Sequence, residues 1–71
     1  MKLTLEEFWA ELLSRESRRT IEAWLTLTTE EERFAVWTHL QRMSVEEGWT
    51  EGQQASARAA LKILRDHGIT M

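Results

Sequence analysis

His39 and His67 are the side chains best suited to hold a metal ion or move a proton near neutral pH. They stand 28 residues apart, on segments that read as different helices. Neither belongs to a His-x-x-x-His or Glu-x-x-His pattern, the spacings that put two ligands on one helix face. Glu47 and Asp66 could complete a ligand set, but no spacing requires it. Cysteine and tyrosine are absent, and no Gly-x-Ser-x-Gly elbow presents a serine nucleophile. The three glycines, at 48, 52 and 68, form no phosphate-cradling loop. Seven of the twelve carboxylates come as neighbours (Glu6/Glu7, Glu30/Glu31/Glu32 and Glu46/Glu47). Adjacent helical positions point about 100° apart, whereas a catalytic pair must face across a cleft. The expectation is a protein with no enzymatic activity, no metal, no cofactor and no small-molecule substrate.

Contact chemistry is better represented. Net charge is −3, but it is unevenly spread: residues 30–52 hold two bases against six acids, and residues 53–71 hold Arg58, Lys62 and Arg65 against Asp66. On a helical wheel Gln54, Arg58, Lys62 and Arg65 fall in one stripe about 80° wide. Such a stripe can meet an acidic protein or nucleic-acid phosphates, or it can be a solvated face whose bases suit the negative end of a helix dipole. Trp49 lies between Gly48 and a cap signal, a junction where an indole is equally suited to a cap contact or to anchoring a partner. The candidate partner-binding residues are therefore Trp49, Gln54, Arg58, Lys62 and Arg65.

The elements that must position them are helical. Thr4-Leu5-Glu6-Glu7, Thr29-Glu30-Glu31-Glu32 and Thr50-Glu51-Gly52-Gln53 are three capping boxes. Leu5, Phe8, Trp9, Leu12 and Leu13 follow the first at the spacing of one helix face, which predicts a helix over about 5–15. Ile21, Trp24 and Leu25 point about 140° away from that stripe, so a break must fall within Ser14–Thr20, with Ser17 as N-cap of a short helix over about 18–26. A third helix, about 30–47, turns Phe34, Val36, Trp37, Leu40 and Met43 inward and stops at Gly48, with Trp49 folding back. A fourth, about 51–67, stops at Gly68 and brings Ile69 to Leu64. Trp9, Trp24 and Trp37 are expected in the core, over the small residues Ser56, Ala57, Ala59 and Ala60. The fold class is all-α: a small compact bundle of four helices in a single domain, 1–71.

Residues 50–69 resemble the recognition-helix end of winged-helix DNA-binding domains, with Leu61, Leu64, Gly68 and Ile69 matching the Leu-x-x-Leu and Gly-Ile pattern. That resemblance implies helix 4 in the major groove and its basic stripe on phosphate. The coarse pattern covers about 20 residues, and a Schellman cap gives the same Gly-Ile; no family is assigned. No apolar stretch approaches the roughly 20 residues of a membrane span, and Met1–Glu7 lacks the apolar core of a secretory signal, so a cytoplasmic location is expected. For 71 residues, burial and ordering entropy nearly balance, and four tryptophans are more aromatic surface than so small a core encloses. The expected function is binding to another protein or to a second copy as a homodimer, with nucleic-acid binding as the alternative.

Overall fold

Thr4, Thr29 and Thr50 each accept a hydrogen bond from the N–H three residues on. Their own N–H groups donate to the side chains of Glu7, Glu32 and Gln53, so all three capping boxes form. The computed structural model describes residues 4–70. It contains α1 (Leu5–Leu12), α2 (Ser17–Leu25), α3 (Glu30–Val45) and α4 (Glu51–Asp66), and no strand among the described residues. The all-α bundle with a short second helix is therefore observed.

The break between α1 and α2 lies where the change of face requires it, but α1 ends three residues early. Arg15 takes the left-handed conformation (φ 65°), a position glycine usually fills. Its side chain is held from across the fold: Nε donates to Ser56 Oγ and Nη2 to Gly52 O, both at 3.1 Å. Thr20 is fully buried and donates to Leu12 O at 3.0 Å, satisfying a carbonyl that the shortened helix leaves open. Glu16, not Ser17, is the N-cap of α2, and it makes no side-chain cap bond. Ser14 Oγ accepts from the Glu16 N–H instead.

α3 and α4, joined by a short link, pack antiparallel and form the main helix pair. Ala57 and Ala60 are fully buried with Leu40 and Leu64, and their small side chains let the two backbones close up. Trp24 and Trp37 meet edge to face at 6.1 Å beneath α2. Trp9 is only partly buried, at the margin of this core.

Three inward assignments fail. Phe34 is 62% exposed, Leu25 69% and Leu5 76%. The buried seam of α3 runs through Trp37, Leu40 and Ser44, and extends back to Arg33, which donates to Leu27 O. Phe34 falls about 100° off that seam. Leu25 and Leu5 lie at helix ends with no element across from them to cover their side.

The two glycine stops differ. At the end of α4, Gly68 (φ 77°) donates to Arg65 O and Ile69 to Leu64 O, a complete Schellman cap. α3 ends at Val45 instead of 47, with Glu46 extended, and Gly48 (φ 101°) turns the link that follows. A glycine cap is unnecessary there because α4 side chains reach the last carbonyls of α3.

Candidate functional site

The stripe of α4 divides into two halves with different uses. Gln54 Nε2 donates to Glu46 O at 2.9 Å, and Arg58 Nη2 donates to Ser44 O at 3.1 Å. Both carbonyls belong to the end of α3, where intrahelical donors run out and the dipole is negative. An amide and a guanidinium at α4 spacing fill both needs. Lys62 and Arg65 are exposed and enter no ion pair among the described residues. The five predicted residues are thus not brought together as one surface: two stitch the hairpin, two project from α4, and Trp49 belongs to a different cluster.

That cluster is a row of rings built from three segments. The His39 imidazole lies 4.9 Å from the Trp9 ring, tilted by 59°, and 5.6 Å from the Trp49 ring, at 86°. Phe8 continues the row inward, edge to face with Trp9 at 5.4 Å. Phe8 is buried, Trp9 and Trp49 are half-buried, and His39 is exposed, so the row climbs from the core to the surface. Leu5, one turn before Trp9 on α1, extends the apolar margin. The glycine cap expected at Gly48 does not form, but Trp49 still packs back on α3, against the core margin and the His39 ring. Nothing in local spacing marks His39, since its neighbours are 30 residues before it and 10 after it. The available signal was indirect: an odd aromatic at a helix junction, and an α1 stripe long enough to reach past its own core.

Several of the remaining chemistry-bearing groups have structural partners. His67 turns Nδ1 to Ile63 O at 3.1 Å, inside the last turn of α4. The Thr28 N–H and hydroxyl, followed by those of Thr29, hold the Glu32 carboxyl below its usual range. Arg18 pairs with Glu22, Arg19 with Glu16 and Glu11, and Arg42 with Glu46, all on exposed surface. None of the ion pairs among the described residues includes a histidine, and no group of three metal-ligating side chains occurs among them. No described helix is long and apolar enough to cross a membrane.

In comparisons with known proteins, no family model, no curated protein and no solved structure matches the chain.

Proposed function

We propose that this chain is a small non-catalytic protein-binding module that docks an apolar segment of a partner protein on the Trp9–His39–Trp49 row. The observation that carries the reading is an exposed imidazole held within ring-contact distance of two half-buried indoles from separate segments. Indoles are large, amphipathic and lose few rotatable bonds on binding, which suits them to anchor an interface. The exposed imidazole supplies a polar atom that can orient what docks. The phosphate-binding alternative is weaker, because Gln54 and Arg58 are committed to the end of α3 and only two uncommitted cations remain on the stripe. The proposal places the module in the cytoplasm as one domain, on the grounds of composition given above.

The test is quantitative capture of partners from native lysate by the wild-type chain and by His39→Glu, which sets a carboxylate between the rings. Far-UV circular dichroism and thermal melts establish that the variant is folded. Partners specific to the row should be depleted at least about tenfold, equivalent to about 1.4 kcal/mol. An unchanged set of retained proteins refutes the reading.

A further inference from the structure

We infer that a second copy of this chain docks on the Phe34 end of the α3–α4 hairpin, about a two-fold axis passing beside that ring. This surface extends the binding role to a second face and does not depend on the aromatic row. An isologous interface must carry both halves of every complementary pair on one patch, and this end of the hairpin does. Glu30 and Glu31 are exposed in the first turn of α3 and enter no ion pair or hydrogen bond to a side chain among the described residues. Glu32, by contrast, is tied to Thr28 and Thr29. Lys62 and Arg65 are likewise exposed and uncommitted near the end of α4. Phe34 stands among them, 62% exposed.

The register supports the pairing. Gln54 reaches Glu46 and Arg58 reaches Ser44. Continuing that antiparallel register at about 1.5 Å per residue puts Arg65 and Lys62 beside α3 between Trp37 and Leu40. Glu30 and Glu31 therefore lie about one turn to one side of Phe34, and Arg65 about one turn to the other. A two-fold axis at Phe34 brings the acids of each copy to the bases of its partner, with the two rings at the centre. Asp66 follows Arg65 but is turned about 100° away from it. His39, five residues from Phe34, sits about 140° around α3, so the row stays outside this contact.

Sedimentation equilibrium tests the inference with two charge-reversed chains, Glu30→Lys/Glu31→Lys and Lys62→Glu/Arg65→Glu. Neither pair replaces a side chain that makes a capping-box hydrogen bond or one that is buried. The wild-type chain should shift from 8.4 kDa towards twice that mass as its concentration is raised to about 1 mM, the weak end of specific association. Each reversed chain alone should sediment as a monomer, because both of its contacts set like charges together. Mixed in equal amounts, the two should form a heterodimer, in which both contacts are complementary again. Phe34→Ser should be monomeric and His39→Glu dimeric. A monomeric wild-type chain, reversed chains that still dimerise, or a mixture that stays monomeric would each overturn the inference.

Discussion

Arg58→Gln should destabilise the fold, whereas Lys62→Gln, one turn further along the same face, should not. The difference comes from the end of α3. Arg58 Nη2 donates to Ser44 O at 3.1 Å and Gln54 Nε2 to Glu46 O at 2.9 Å. Losing the first leaves a half-buried carbonyl to find water. A hydrogen bond contributes about 0.5–1.5 kcal/mol net, and more when one partner is charged. Arg58 is itself exposed, so solvent screening holds the value near the lower range, about 1 kcal/mol including the cation's effect on the α3 dipole. Unfolding entropy near 2.1 cal/mol/K per residue gives about 150 cal/mol/K for 71 residues, so 1 kcal/mol corresponds to about 7 °C. Thermal melts followed by far-UV circular dichroism should show a loss of about 7 °C for Arg58→Gln and under about 2 °C for Lys62→Gln. Equal melting temperatures for the two variants would refute the division of the stripe.

Two further outcomes follow from partners inside the fold. Thr20→Val keeps the shape of a fully buried side chain but removes the donor to Leu12 O, and it should cost about 1–3 kcal/mol. Urea unfolding checks this: the midpoint should fall with the slope unchanged, and an unshifted midpoint contradicts it. Glu32 makes a pH-dependent contribution. Its carboxyl titrates below the ordinary 4.5 because the Thr28 N–H and hydroxyl, and then those of Thr29, bind the charged form. A depressed value adds stability that is present above 4.5 and lost as pH falls through the lower folded-state value. The stability gap between wild type and Glu32→Gln should therefore shrink as pH falls from above 4.5 through the lowered folded-state value; a gap constant with pH excludes the assignment.

Local signals carried most of the fold. A threonine with Glu or Gln three residues later starts three helices, and Gly68 ends one, because each of those signals acts within a single turn. Where the decisive partner lay far along the chain, the sequence misled. Arg15 occupies a left-handed position without being glycine because Gly52 and Ser56, about 40 residues away, hold its side chain. Gly48 does not cap α3 because Gln54 and Arg58 take over the carbonyls. Phe34 fits an inward spacing from Trp37, but the seam continues through Arg33 instead. The site was legible in its parts. Trp49, Lys62 and Arg65 could be picked out by type and spacing, but the meeting of Trp49 with His39 and Trp9 exists only once α1, α3 and the link are packed together.

Many of the polar side chains that make hydrogen bonds are committed to helix ends. Thr4, Thr29 and Thr50 serve N-termini, while Thr20, Gln54, Arg58 and His67 serve C-terminal carbonyls. A bundle of short helices has many ends for its length, and each end leaves up to four backbone groups to satisfy. What this accounting leaves over includes the ring row, Phe34, and uncommitted charges, among them Glu30, Glu31, Lys62 and Arg65. These fall on two sides of α3, about 140° apart, with the core on a third. If one side joins two copies, the two ring rows remain exposed, one on each copy. A partner offering two docking segments then gains effective concentration on its second contact, so weak self-association and modest anchoring combine into tighter binding. Neither face needs to be strong by itself, which is consistent with a chain that has only a single turn of exposed rings and charges to give to each.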